Sequence, residues 1–142
     1  MEFNFDILNN IFVSKPIGEG SSREVYRYTD FVVKKAKNPR GYKECSNEHF
    51  LYKNVSIKYK KHLCPILAYQ EGVIVMSYAE PISLEEFNNF VLSKCSETIT
   101  YLQDEYNMDD FDLKCHFNWG KINQEYVIID YGHNYFDEEL FE

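Results

Sequence analysis

The sequence has no Cys-x-x-Cys pair, no long apolar run, no internal repeat and no low-complexity segment. Each absence removes a class of protein. Cys45, Cys64, Cys95 and Cys115 lack zinc-ligand spacing, and Cys115-His116 with His133 reads as scattered residues, not as a ligand set. The longest aliphatic runs, Val73-Ile74-Val75-Met76 and Val127-Ile128-Ile129, fall far short of the roughly 20 residues that a bilayer-spanning helix needs. No basic stretch leads into an apolar one at the N-terminus, so the expectation is a cytoplasmic protein with no signal peptide and with reduced thiols. Positive charge is scarce as well. Lys and Arg number 15 against 23 Asp and Glu, and the net charge of −8 disfavours nucleic acid and anionic lipid as partners.

What is present suits a packed domain. The 142 residues are 44% hydrophobic and 17% aromatic, an apolar supply that disordered chains lack. Acidic residues gather late, in Asp104-Glu105, Asp109-Asp110, Asp112 and Asp137-Glu138-Glu139, while Lys34, Lys35, Lys37, Arg40 and Lys43 fall in the first half. Two readings of this polarity stay open: ordinary solvated faces, or one face for phosphates and another for a basic partner.

Residues 1–12 read as a strand or a short helix. Strands are expected over 12–17, 24–28 and 31–36, with Gly18-Glu19-Gly20-Ser21-Ser22 as a turn between the first two. Asn38-Pro39-Arg40-Gly41 reads as a loop and Tyr42 to Val55 as a helix. A hairpin is expected over 66–77, ended by Glu80-Pro81. Ser83 and Glu86 form a capping box. Beyond them Leu84, Phe87, Val91, Cys95, Thr98 and Leu102 line one helical face, of one long helix or of two broken near Ser93. Trp119 to Ile122 and Tyr126 to Asp130 read as a last hairpin around Asn123-Gln124.

Three placements carry chemistry. Alternation puts Lys34 on the same strand face as Val32, and a lysine on a buried face needs a partner. Glu48 is three residues from Cys45 and Leu51, so it lies on the apolar stripe of its helix, where a carboxylate also needs a partner. Glycines at 18 and 20 let backbone amides approach phosphate oxygens.

Together with Asp130-Tyr131-Gly132 after an apolar strand, these elements resemble the protein-kinase-like superfamily. Gly18 to Val25 is similar to the glycine-rich loop, with Arg23 where its third glycine belongs. Val32-Val33-Lys34 resembles the strand of the ATP lysine, and Val73 to Ala79 the strand and hinge that receive adenine. Asn118-Trp119-Gly120 and Asp130-Tyr131-Gly132 resemble the catalytic-loop asparagine and the metal aspartate, most like small kinase-like proteins of bacteriophages and mobile elements. The resemblance implies an α+β fold: an N-lobe (1–79) of antiparallel sheet with one packed helix, then a reduced helical C-lobe (80–142) ending in a β-hairpin, together one domain. It implies ATP at Gly18, Gly20, Ser21, Ser22, Val25, Lys34, Glu48, Met76 and Tyr78, and Mg²⁺ at Asn118 and Asp130.

Two departures shape the expected function. The family's catalytic base falls at Leu113; Asp112 is one residue early and serves as base only if an insertion restores the register. The ten residues after Gly132 hold no activation segment or substrate lobe. The expectation is therefore a non-catalytic, pseudokinase-type binding protein of phage or mobile-element origin that acts on a host protein in the host cytosol. The alternatives are an active minimal kinase or autokinase, an acidic inhibitor of a nucleic-acid-dependent host defence enzyme, and a generic α+β domain.

Overall fold

The structure, a computed structural model, describes residues 5–12 and 15–132. A 3-10 turn at Phe5–Ile7 leads into a short helix, α1 (Leu8–Phe12), so the opening segment is helical and the strand expected from Phe12 does not begin there. An antiparallel sheet then forms from β1 (Gly18–Glu19), β2 (Arg23–Tyr28), β3 (Phe31–Ala36), β4 (Ile66–Gln70) and β5 (Val73–Ser77). Its order is β1-β2-β3-β5-β4.

The register assigns the two faces. Val25 stands opposite Lys34 and Val32 opposite Met76, which places Arg23, Val25, Val32, Lys34 and Met76 on the inner face. Tyr26, Val33 and Val75 point the other way, where Leu8 and Ile11 of α1 cover them in a small separate core. The middle of the outer face is thus dry, which explains why β3 and β5 read as near-continuous apolar runs.

Helix α2 (Pro39–Asn54) packs on the inner face and is followed by the one-turn helix α3 (Ile57–Lys60). Its start corrects the loop expected at 38–41. Asn38 is the N-cap, its side chain accepting from the Gly41 amide at 3.0 Å, and Pro39 supplies a first helical residue with its φ already set. Gly41 is there for close approach: a Cβ would stand 2.1 Å from the Ser22 carbonyl oxygen.

The second half begins with β6 (Glu80–Pro81), which does more than end the hairpin: it pairs with β7 (Trp119–Ile122), and β7 with β8 (Glu125–Ile128). Asn123 and Gln124 both have left-handed φ, 48° and 72°, as a two-residue hairpin turn requires. The strand stops at Ile128, two residues short of Asp130.

Between β6 and β7 run α4 (Leu84–Glu86), a π-helical turn (Phe87–Val91), α5 (Leu92–Lys94), α6 (Ser96–Tyr106) and α7 (Asp110–Leu113). The buried residues Phe87, Val91, Cys95 and Ile99 recur every fourth position. In an ideal α-helix that spacing drifts by roughly 40° per step, and an underwound π turn cancels part of the drift. The break falls at Cys95 (φ −111°), near Ser93 as the second alternative had it, and Leu84 is 54% exposed, outside the stripe it was expected to join.

The two halves share a core. Leu51 and Met76 belong to one buried cluster with Phe87, Leu102, Trp119 and Ile128. The backbone joins them too, since the Cys64 amide donates to the Ile128 carbonyl at 2.9 Å and the Ile128 amide to the His62 carbonyl at 2.8 Å. This is the expected α+β arrangement of sheet with packed helix, then helices and hairpin. No helix among the described residues is long and apolar enough to cross a membrane.

Candidate functional site

The inner sheet face, α2 and the segment after β8 converge on one buried carboxylate. Glu48 is fully buried, and Lys34 Nζ donates to its Oε2 at 3.1 Å. The Tyr131 amide donates to the same oxygen at 3.0 Å. Lys34 Nζ also donates to the Ile129 carbonyl at 2.6 Å, so strand, helix and the Asp130 segment meet at two polar groups. Gly132 permits this approach, because a Cβ there would stand 2.4 Å from the Glu44 carbonyl oxygen.

Arg23 is the residue that sequence reasoning missed. It was read only as a missing glycine, yet its side chain turns into the centre of the site. Its Nη1 donates to Glu48 Oε1 at 2.6 Å and its Nη2 to Asp130 Oδ1 at 3.1 Å. Its Nε lies 3.9 Å from Glu44, whose carboxylate also accepts from the Ser22 hydroxyl. The signal existed: Arg23 shares a strand face with Val25, by the same alternation that flagged Lys34.

Burial alone would raise the Glu48 carboxyl; the Arg23 and Lys34 cations and the bonds from Arg23 and the Tyr131 amide overcome this and hold it at about 2. Burial likewise opposes the Arg23 charge, and Glu48 with Asp130 outweighs it, so the guanidinium sits above its ordinary value.

Above this network lies a pocket of about 490 Å³, within the range of small-molecule sites. Ile17, Val25, Val32, Met76 and Ala79 line its apolar end, beside Tyr78. Gly20, Ser21, Ser22, Arg23, Lys34, Arg40, Asn118 and Asp130 line the polar end. Of the residues expected at a nucleotide, Gly18 and Glu48 do not reach the lining: Gly18 sits in β1, and Glu48 lies beneath Lys34 and Arg23. Asp112 is also off the lining, in α7, and its backbone carbonyl accepts from Asn118 Nδ2 at 3.0 Å.

Gly18 and Gly20 have no packing reason to be glycine. Neither has a left-handed φ, and an added Cβ would meet nothing nearer than 3.9 Å.

The Mg²⁺ that the resemblance implies would have to share Asp130 with an arginine. It would need oxygens of Asn118 and Asp130, but Asp130 Oδ1 already accepts from Arg23. A divalent ion on that carboxylate would stand against a fixed guanidinium. Among the described residues, no group of three or more His, Cys, Asp or Glu is arranged to hold a metal.

No protein-family model and no curated protein matches the sequence. Solved structures do match in fold. The bifunctional kinase-methyltransferase WbdD superposes with a TM-score of 0.56 at 18% identity over 78% of this chain and 29% of its own. Cex1p gives 0.52 at 18% identity over 84% and 25%. APH(2")-IIa, in a ternary complex with streptomycin and ATP, gives 0.51 at 11% identity over 90% and 69%. The chain thus spans under a third of the first two proteins. These likenesses show the class of the fold, which is protein-kinase-like.

Proposed function

We propose that this chain is a kinase-like binding module whose pocket takes an adenine nucleotide and does not transfer its phosphate. The observation that carries the reading is the Lys34–Glu48–Arg23–Asp130 network at the pocket floor. Paired charges at this depth cost desolvation and are a weak source of stability, so their concentration beside a cavity favours a binding role. The apolar end of the pocket suits a purine base and the polar end its phosphates. Gly20, on the pocket lining and unforced by packing, suits an approaching ligand. ATP is also the nucleotide present with APH(2")-IIa in its ternary complex.

The case against transfer rests on the missing base. The carboxylates on the pocket lining are Glu44 and Asp130; Ser22 bonds the first, and Arg23 reaches both. A general base must stand within hydrogen-bond reach of the acceptor hydroxyl, and Asp112 lies off the lining. In this reading the output is contact with a partner protein. The net charge of −8 favours a protein over nucleic acid, and a phage or mobile-element product acting on a host protein fits that role.

Thermal shift with ADP and ATP is the test. The melting temperature should rise with nucleotide concentration as mass action requires, and labelled γ-phosphate should reach neither the chain nor added protein. No rise for either nucleotide would sink the binding reading. Transfer that disappears in Asp112→Ala would sink the non-catalytic one.

A further inference from the structure

We propose that Arg23 takes the place of the divalent cation, so that the pocket binds its nucleotide without metal. The proposal rests on the nucleotide-binding reading above and goes beyond it by naming the charge that meets the phosphates.

Arg23 stands beside the aspartate that a metal would use. Nη2 of Arg23 bonds Asp130 Oδ1 at 3.1 Å, on the carboxylate that a metal would need. The guanidinium is held there by more than that contact. Arg23 opens β2 opposite Ala36, its carbonyl accepts from the Gly20 amide at 3.0 Å, and Nη1 is fixed to Glu48 at 2.6 Å. The residue is only 7% exposed, and a swing into solvent would leave Glu48 with Lys34 as its one cation and take the guanidinium from Asp130.

The guanidinium also offsets the local negative charge. Three carboxylates face the site, those of Glu44, Glu48 and Asp130. With Lys34 as its one cation the pocket floor would carry a negative excess that opposes an entering phosphate. Arg23 offsets that excess from within the chain. Arg40, exposed in the first turn of α2 and on the pocket lining, adds a third cation near Ser21 and Ser22. The polar end is then balanced with no metal present. The Arg23 donors are turned to Glu48, Asp130 and the Cys45 sulfur, so the guanidinium acts on the phosphates as a fixed positive charge and not through hydrogen bonds of its own.

The glycine turn is held from within the chain as well. Lys37 Nζ donates to the Gly20 carbonyl at 3.2 Å and Asn38 Nδ2 to the Ser21 carbonyl at 2.9 Å. The glycine turn is thereby tied to the start of α2, in its own frame, by side chains and not by an ion.

The experiment is ADP titration by calorimetry at constant ionic strength, in excess EDTA and in excess Mg²⁺. The expected dissociation constants agree within about twofold. Arg23→Gly, which restores a glycine at that point of the loop, should weaken ADP binding in EDTA by about tenfold or more and recover it in Mg²⁺. If Arg23→Gly does not fold, the wild-type comparison decides, together with Mn²⁺ resonance spectra, which apo protein should leave unchanged. Binding confined to Mg²⁺, or a Mn²⁺ signal quenched by the apo protein, overturns metal independence and leaves the nucleotide reading standing. No ADP binding in either buffer overturns both.

Discussion

Replacing Glu48 by glutamine keeps its shape and removes the carboxylate that Arg23 and Lys34 share. Two buried cations then lose their common partner, and a loss of about 3 to 5 kcal/mol is expected in urea denaturation. Acid should act on the same group. A carboxyl held at about 2, against an ordinary 4.5, contributes stability that is fully present above 4.5 and lost as the pH falls through 2. Wild-type stability should therefore decline across that window, and the Glu48→Gln curve should be flatter there. Glycines offer a contrasting pair. Gly41→Ala should cost about 2 kcal/mol or more, because its Cβ would collide with the Ser22 carbonyl. Gly18→Ala and Gly20→Ala should change stability by less than about 0.5 kcal/mol, since the space is open, and Gly20→Ala, on the pocket lining, should also weaken ADP binding. Equal stability losses at all three glycines would refute the distinction. Lys34 and Glu48 were legible as residues because each sat on a face it should have avoided. Arg23 was equally legible by the same rule, but the family pattern drew attention to the glycine it replaced.

Among the elements, the start of α2 carries two duties through one residue. Asn38 caps the helix through Oδ1 and holds the glycine turn through Nδ2. Asn38→Ala should cost about 1 kcal/mol, the usual value of a cap. Asn38→Asp keeps the cap and loses the donor to Ser21, so it should hold stability and loosen ADP binding. A stability loss in Asn38→Asp equal to that of Asn38→Ala would show that the bond to Ser21 is structural. The sequence contained the cap and the Pro that follows it, yet the cluster of Asn, Pro and Gly reads as a loop by composition. The same residue types serve both settings, and only the position of the following apolar stripe tells them apart. The helical run after Ser83 was legible in its buried stripe and not in its winding. A four-residue spacing is compatible with a drifting α-helix or with a π turn, and the core that must be met decides between them.

For the whole molecule, the shared core and the link between β8 and residues 62–64 predict cooperative unfolding. Trp119, fully buried in the second half, donates Nε1–H to the Leu113 carbonyl at 2.8 Å and is the chain's single tryptophan. Its fluorescence and the far-ultraviolet dichroism of the whole chain should give coincident urea transitions. Separate midpoints would mean that residues 1–79 and 80–142 unfold as two units. The order of strands and helices was readable from periodicity and turn residues, because burial imposes a period of two or of about 3.6 on any chain.

The sequence by itself determined the element order, the dry faces of β3 and β5, and the misplaced charges at Lys34 and Glu48. Those are local properties, set by alternation and by the cost of burying an unpaired ion. Only the tertiary structure decided which charges meet. Arg23 and Asp130 are 107 positions apart, and their contact depends on β2, α2 and the end of the β8 hairpin closing over one carboxylate. Ion pairing acts across space and leaves no period along the chain. That is why the bond between Arg23 and Asp130 could not be read from the sequence.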